Sequence, residues 1–391
     1  MPLFDEIVRT DSRRAKRSES LFRVLNRING DEYSRVRALM EHWFDRFPVE
    51  GQADVRERFR DDDPGQSIGA FWELYLHEIH RRLGYTLERE PEVPGTTKRP
   101  DFRATRRDTA FYLEATLVSY PDAEMAARRR RDIVVDIVDE AFDPDFWVAI
   151  HIHVEGRTTP PKADIVPAIE AWLGSLDWMT AQTQFEQDPL QAPERDFHVR
   201  DWVFNLRAYP RTPNVRGDPT FPTVNMGPRW SGAVDERGPI EADLREKSTR
   251  YGRPDLPFVI AALCLRDFVD ERAIEQALYG PEVVRVPVLR GVGNPARAHV
   301  VRNPRGLWQW GEDRRATRVS AVLTARHLNP LFIANAELTL WKNPWAAKPL
   351  VDDLPWRMVT GDLARNQLVV TEATMEPREI LGISETWPVR P

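Results

Sequence analysis

The chain has 391 residues, 41% of them hydrophobic and including 13 Trp and 17 Phe, so it can build sizeable cores and is not a disordered protein. The formal net charge of −6 gives no support for a protein that coats nucleic acid, so any contact with nucleic acid would need local basic patches. The single cysteine, Cys264, excludes a disulfide framework and a cysteine-rich zinc site.

The first part of the chain, residues 1–66, is predicted to be a charged helical segment. Apolar residues recur at helical spacing in "SESLFRVLNRI" and "DEYSRVRALMEHWFDRF". The N-terminus has no apolar segment of the kind found in secretory signals, and no apolar stretch reaches membrane-spanning length. A cytoplasmic protein is therefore expected.

The clearest pattern lies in residues 67–155. An amphipathic helix over "SIGAFWELYLHEIHRRLG", with Ser67 as its N-cap, ends at Gly84. Three strands, a helix and a strand are then predicted over "YTLERE", "RPDFRAT", "AFYLEATLV", "DAEMAARRRRDIVVDIVDEAF" and "FWVAIHIHV".

The remainder, residues 156–391, is predicted to be an additional C-terminal α/β region that extends the same sheet or forms its own domain. It contains the predicted long strand "DFHVRDWVFNLRAYPR". Further along, the helix "IEADLREKSTRYG" is followed by the buried strand "LPFVIAALCL" and a second helix.

Two acidic residues face each other in the predicted hairpin around Arg107 and Asp108. If these two residues form the turn, Asp101 lies opposite Glu114, roughly 5 Å away at Cβ. Opposed carboxylates repel each other, and a divalent cation would reverse the sign of that interaction. The hairpin is therefore a candidate Mg²⁺ or Mn²⁺ site. The alternative is that both acids are solvated on a wet sheet face, each near an arginine.

The preceding helix adds a third acid, Glu73, on its polar side. An acid on a helix, then Pro-Asp at a strand start, then Glu in the next strand, resembles the PD-(D/E)XK nuclease superfamily. The resemblance covers Ser67 to Val154 and includes the order helix, three strands, helix, strand. It implies an α/β fold with a restriction-endonuclease-like αβββαβ core.

The resemblance also implies a function. Asp101 and Glu114 would hold Mg²⁺ or Mn²⁺, Glu73 would help to place the metal or the attacking water, and the protein would cut phosphodiester bonds in nucleic acid, DNA before RNA. Restriction or anti-phage defence is the expected setting, and a homodimer is expected by family analogy, because cutting both strands favours paired sites.

The sequence departs from the family at Thr116, where a lysine is usual. By the hairpin register Arg99 faces Thr116 and is the first candidate to supply the missing positive charge. Lys98 is the flexible neighbour of Arg99, and the family tolerates moved lysines. Arg128 and Arg129, on the following helix, are candidates for phosphate contact, although such charge runs are usually solvated.

Two other functions stay open. A catalytically inactive member would bind nucleic acid or a protein partner, and a structural protein would leave the acids solvated. The "HEIH" motif at His77 to His80 is too short for a zinc protease. His151 and His153 share one side of their strand as structural or cleft-lining residues. The basic, Trp-rich stretches from Leu289 to Arg297 and from Arg302 to Arg315 are surface loops or a nucleic-acid clamp.

Overall fold

The computed structural model describes residues 1–226, 236–286, 288–289, 292–293, 298–303, 305–308, 314–352, 354–365 and 367–389. The chain forms two compact units. The first comprises Met1–Arg14, Ser20–Tyr120 and Val234–Pro391, and the second comprises Ala15–Glu19 and Pro121–Ala233. The fold is mixed α/β, as predicted.

The N-terminal part of the first unit is helical, as predicted. Its helices are α1 (Leu21–Arg27), α2 (Asp31–Phe44), α3 (Val49–Phe59) and α4 (Pro64–Arg82). The predicted cap of α4, Ser67, is instead a buried residue inside the helix. Asp63 is the N-cap, because its Oδ1 accepts the backbone N–H groups of Gly65 and Gln66.

An eight-stranded mixed sheet forms the centre of the first unit. In spatial order its strands are β1 (Thr86–Arg89), β2 (Phe102–Arg106), β3 (Thr109–Val118), β8 (Phe258–Cys264), β13 (Ala321–Arg326), β14 (Glu337–Lys342), β15 (Arg357–Asp362) and β16 (Gln367–Thr371). Strands β3, β8 and β13 are parallel to one another.

Both faces of this sheet are covered. On one face α1–α4 share a core with residues such as Phe102, Leu113 and Ala261. On the other face α8 (Arg237–Ser248) and α9 (Glu271–Tyr279) pack on a second core. The short α10 (Pro377–Leu381) contacts α4. Every residue of β8 is buried, as is usual for a parallel strand with helices on both sides.

The second unit is built on a four-stranded sheet. Its elements are α5 (Asp122–Asp139), β4 (Phe146–Val154), α6 (Lys162–Leu173), α7 (Trp178–Gln187), β5 (Glu194–Val199), β6 (Trp202–Pro210) and β7 (Val224–Met226). The strand order is β5-β6-β4-β7, and α5 and α6 pack on one face of the sheet.

Two predictions about this region are wrong. The single long strand from Asp196 to Arg211 is interrupted by a turn, in which Arg200 has a φ of 55°, so β5 and β6 form a hairpin. The strand β4 does not join β3, because it pairs with β6 and β7. The strand beside β3 is β8, and α8 is the helix that precedes it.

The predicted domain boundaries, after residues 66 and 155, differ from the two units. The helices α1–α3 share their core with α4, so no boundary falls between them. The second unit interrupts the first between β3 and α8, since its residues 121–233 are inserted there.

Two small antiparallel ribbons are formed by β9 (Glu282–Arg285) with β12 (His299–Arg302) and by β10 (Val288–Leu289) with β11 (Val292–Gly293). Two short 3₁₀ helices, Pro189–Gln191 and Ile333–Asn335, are also present. The basic, Trp-rich stretches fall partly here, and much of them, including Trp310, lies outside the described residues. Trp308 is fully buried in the second core. Among the described residues, no helix is both long and apolar enough to cross a membrane.

Candidate active site

The β2–β3 hairpin has the predicted register. Phe102 pairs with Leu113, and the pairing runs to Arg106 and Thr109 around a turn in which Arg107 has a φ of 53°. Extending this register by one residue places Asp101 opposite Glu114. The side chain of Asp101 crosses to β3, where its Oδ2 accepts the backbone N–H of Ala115 at 2.6 Å.

The face that carries Glu114 is covered by protein, and only 2% of this residue is exposed. Its neighbours on that face, Tyr112 and Ile260, belong to the core beneath α8 and α9. The alternative of a solvated Glu114 on a wet sheet face is therefore wrong. A buried carboxylate needs partners, because desolvation without them costs several kcal/mol.

The partners of Glu114 come from α8 and the residues just after it. Lys247 Nζ lies 3.2 Å and Arg250 Nη1 2.9 Å from Glu114 Oε1. Tyr251 donates its hydroxyl hydrogen to Glu114 Oε2, and that hydroxyl is also 3.1 Å from the carbonyl oxygen of Arg99. Burial and the neighbouring Glu114 carboxylate raise the pKa of Tyr251 above its ordinary value, so it stays a donor.

Asp101 is the least compensated carboxylate of the group. Burial raises its pKa well above the usual value, and the negative charges of Glu114 and Glu73 raise it further. The N–H of Ala115 and the charge of Lys247 oppose this only in part. Among the residues that the structure describes, Oδ1 of Asp101 has no hydrogen-bond partner. This oxygen is the one free to take a cation.

Glu73 is held at the same place by α3. Its two carboxylate oxygens each accept a hydrogen bond of 2.8 Å from the guanidinium of Arg58. The same guanidinium is anchored by Asp54 one turn earlier on α3. Glu73 is 8% exposed and within Coulombic reach of Asp101. The structure thus places Asp101, just before β2, opposite Glu114 of β3, with Glu73 of α4 near enough to influence Asp101 electrostatically.

The predicted basic residues are placed elsewhere. The guanidinium of Arg99 bonds Glu92 at 2.8 Å and the carbonyl oxygen of Glu90, and half of its side chain is exposed, so the structure does not bring it to Glu114. Lys98 is exposed on the same loop. Thr116 is buried on β3 and pairs with Ala262 of β8. On its other side β3 pairs with β2 only from Phe102 onward, so Arg99 is not paired with Thr116.

Arg128 and Arg129 lie on α5 in the second unit, whereas the three acids belong to the first. The next two arginines of the run, Arg130 and Arg131, both pair with Glu155. Phosphate contact by Arg128 and Arg129 stays a prediction.

The helix histidines do not line the acid cluster. His77 packs against Phe47 and Phe102, and His80 packs against Tyr85 and bonds the carbonyl oxygen of Leu76. Burial lowers the pKa of each histidine to about 4. Both are core residues.

The acids fit a divalent cation in ligand type, because Mg²⁺ and Mn²⁺ prefer carboxylate oxygens. They fit in charge as well, because no cation among the described residues forms an ion pair with Asp101 and only the nearby charge of Lys247 offsets its own. In the described parts of the chain, however, no three His, Cys, Asp or Glu side chains are already arranged to hold a metal ion. The carboxylate of Glu73 is already hydrogen-bonded to Arg58. The carboxylate of Glu114 is already hydrogen-bonded to Lys247, Arg250 and Tyr251. A bound cation would take Asp101 Oδ1 first and share Glu114 with its present partners.

The residues that the sequence did not identify are Lys247, Arg250 and Tyr251. They lie more than 130 residues after Glu114, beyond the whole second unit. One sequence pattern could have pointed to this region. The helix that carries Lys247 precedes the longest uninterrupted apolar strand of the chain, which is the pattern of a central parallel strand.

Comparisons of the chain with protein-family models, with curated proteins and with solved structures gave no match.

Proposed function

We propose that this protein is a Mg²⁺- or Mn²⁺-dependent hydrolase of phosphodiester bonds in nucleic acid, DNA before RNA. The observation that carries the proposal is the position of Lys247, whose ammonium group lies 3.2 Å from Glu114. A helix thereby supplies the positive charge that Thr116 cannot supply from the strand. The site then contains the three acids and the amine that PD-(D/E)XK nucleases use.

The topology supports the same proposal. In the first unit α4 is followed by β1, β2 and β3, and then, after the second unit, by α8 and β8. The strands β3 and β8 are parallel neighbours. The order helix, three strands, helix, strand is thus completed by α8 and β8, with the second unit as an insertion.

Each side chain has a distinct role in this proposal. Asp101 and Glu114 would hold the cation, and Glu73, aligned by Arg58, would orient a water molecule or complete the ligand set. When bound, the cation lowers the pKa of an attacking water and offsets the charge that develops at phosphorus. Lys247 would add a positive charge that stabilises the same developing charge. Arg250 and Tyr251 fix the carboxylate of Glu114.

A second candidate is a catalytically inactive module on the same fold, which binds nucleic acid or a protein. The observation that favours it is the set of partners around Glu114. Lys247, Arg250 and Tyr251 engage both of its oxygens, so this carboxylate is satisfied without a metal. Restriction or defence, a cytoplasmic location and a homodimer stay predictions under either candidate.

The test is a cleavage assay on the purified full-length chain with plasmid DNA, single-stranded DNA and RNA, each with Mg²⁺, Mn²⁺ or EDTA. Wild type is expected to cut DNA only with a cation. Glu114→Gln keeps the shape of the side chain and removes its charge, and we expect a loss of about 10³-fold or more, since metal-assisted charge stabilisation contributes several kcal/mol.

The matched control is Glu92→Gln, because Glu92 is an exposed acid whose charge pairs with Arg99 and not with the site. It should cut like wild type. The melting temperature of every variant is measured with and without Mg²⁺. No cleavage of any substrate, together with no Mg²⁺-induced stabilisation that Glu114→Gln removes, would reject the hydrolase and leave the inactive module.

A further inference from the structure

A cavity of about 650 Å³ opens in the first unit where two parallel strands end. Its wall includes Cys264, the last residue of β8, and Arg326, the last residue of β13. Small-molecule sites have volumes of about 300–1,000 Å³, and in open α/β sheets they lie outside the carboxyl ends of the strands. The cavity has both the size and the position of a ligand site.

The cavity is close to the acid cluster within the same unit. Ile68, on its wall, precedes Glu73 on α4 by five residues, about 7.5 Å along a helix. Cys264 pairs with Val118, four residues beyond Glu114 and about 13 Å along the strand. The helix α4 and the strand pair β3–β8 thus connect the wall of this cavity to the residues that carry the acids.

The lining combines an apolar floor with a polar rim. Ile68, Leu265, Val269 and Leu328 are among the apolar residues, and Phe332 is an aromatic residue with 53% of its surface exposed. A large exposed aromatic ring at the mouth of a cavity is a platform on which a base can stack.

The polar residues of the rim suit the edges of a base. Asn335 is exposed, and Asn329 uses its Oδ1 to accept backbone N–H groups while its amide nitrogen remains a donor. The charged residues of the wall are Arg266, Asp267, Arg326 and Glu337, which balance in formal charge. A neutral heterocycle fits this lining better than a polyanion does.

Among the lining residues that the structure describes, Arg326 is the cation that a phosphate can reach. Arg326 pairs with Glu337, and their side chains are 21% and 51% exposed, so solvent reaches this ion pair mainly through Glu337 and a phosphate can compete for the arginine. The other arginine, Arg266, is committed to Glu236 in a buried pair. Arg326 is thus the residue that can turn towards a phosphate group, with His327 beside it in a left-handed conformation at φ 55°.

We propose that this cavity binds one unstacked nucleotide, with its base against Phe332 and its phosphate at Arg326. The choice of ligand rests on the proposed function, but binding can be measured without cleavage. The same chemistry is offered by a free mononucleotide and by a base turned out of a strand, and the test below separates them.

The experiment measures the binding of a 5′-phosphorylated, 3′-fluorescein-labelled single-stranded DNA to the full-length protein by fluorescence anisotropy in EDTA. Phe332→Ala is expected to weaken binding about tenfold, the size of one lost base–aromatic stack. Arg326→Gln is expected to lower the slope of log K against log salt by about one, as for one lost phosphate contact.

The matched control is Phe142→Ala, which removes another exposed phenylalanine, 43% exposed, from the second unit. It should bind like wild type. Equal binding by wild type and Phe332→Ala, or an equal loss in Phe142→Ala, would overturn the proposal. Thermal melting shows that the variants are folded.

Competition with dAMP identifies the source of the nucleotide. Displacement of the labelled strand by dAMP, lost in Phe332→Ala, would show that the cavity accepts a free nucleotide. Displacement only by unlabelled single-stranded DNA, again dependent on Phe332, would show that it takes a base from a strand. Phe332-dependent binding would keep the cavity proposal even where the cleavage assay and the Mg²⁺-dependent melting together reject the hydrolase. Cleavage together with binding that does not depend on Phe332 would support the hydrolase and reject the cavity as a nucleotide site.

Discussion

The strands β8 and β4 show how differently the two sheets bury their residues. All seven residues of β8 are buried, because helices cover both faces of the sheet in the first unit. In β4 buried and half-exposed residues alternate, and its last four residues are mostly exposed. An unbroken apolar run thus marks the central parallel strand that supports the acids, and an alternating run marks a sheet with one open face.

The largest expected effect comes from placing a charge on each strand. Ala261→Asp on β8 would bury an unpaired carboxylate and should cost about 4 kcal/mol or more of unfolding free energy. Ala149→Asp on β4 places the same group on a half-exposed face opposite Arg207 and should cost less than about 1 kcal/mol. Urea unfolding of the two variants measures both values. Similar costs would show that β4 is covered on both faces as well.

Two arginines extend the comparison, with expected changes in unfolding free energy of intermediate size. Arg266 forms a buried pair with Glu236, and Arg266→Ala would leave that carboxylate buried and unpaired, at a cost of about 3 kcal/mol. Arg207 pairs with Glu194 across two strands of the second unit, where the acid is 51% exposed, and Arg207→Ala should cost about 0.5 kcal/mol. Chemical denaturation at moderate salt compares them. An equal loss of unfolding free energy in Arg207→Ala and Arg266→Ala would contradict the conclusion that one face of the sheet in the second unit is open to solvent.

Per residue, the smallest effect is expected in the pH dependence of stability. The histidines His77 and His80 have folded pKa values of about 4, below the unfolded 6.5, so the unfolded chain takes up protons first as the pH falls. The first unit should lose about 2 kcal/mol per histidine between pH 7 and pH 5. In the second unit, burial and then Asp136 raise the pKa of Asp132 to about 6. As the pH falls from 7 to 5, the folded state of the second unit therefore takes up this proton before the unfolded state does. The stability of the second unit should rise by about 1 kcal/mol over that range.

Hydrogen exchange of peptides from each unit at pH 7 and pH 5 measures these opposite trends. His80→Gln should flatten the dependence of the first unit, and Asp132→Asn that of the second. Parallel trends in both units, unaffected by these substitutions, would show that other groups govern the acid response.

The local part of the site could be predicted from the sequence. The turn at Arg107 and the alternation of apolar residues fix the hairpin register, so Asp101 and Glu114 were correctly paired. The same register failed when it was extended to Arg99. Pairing of β2 with β3 starts at Phe102, and Arg99 precedes the strand and turns to Glu92.

The non-local part could not be predicted in the same way. The segment "FWVAIHIHV" follows a helix at the expected place, and nothing in its immediate neighbours shows that it belongs to another sheet. The available evidence against a central place in the main sheet was the alternation of apolar residues with His151 and His153, since a central parallel strand is apolar throughout. The link from Lys247 to Glu114 depends on β8 pairing with β3 across an inserted unit, and sequence periodicity carries no information on such pairing.

The most direct test of the account compares three proteins in one single-turnover cleavage assay with Mg²⁺: wild type, Lys247→Ala and Arg99→Ala. We expect Lys247→Ala to slow cleavage by about 10²- to 10³-fold, the size of one lost charge-stabilising donor, and Arg99→Ala to cut at the wild-type rate. Cleavage by Lys247→Ala at the wild-type rate would contradict the account, since the amine next to Glu114 would then have no part in the reaction.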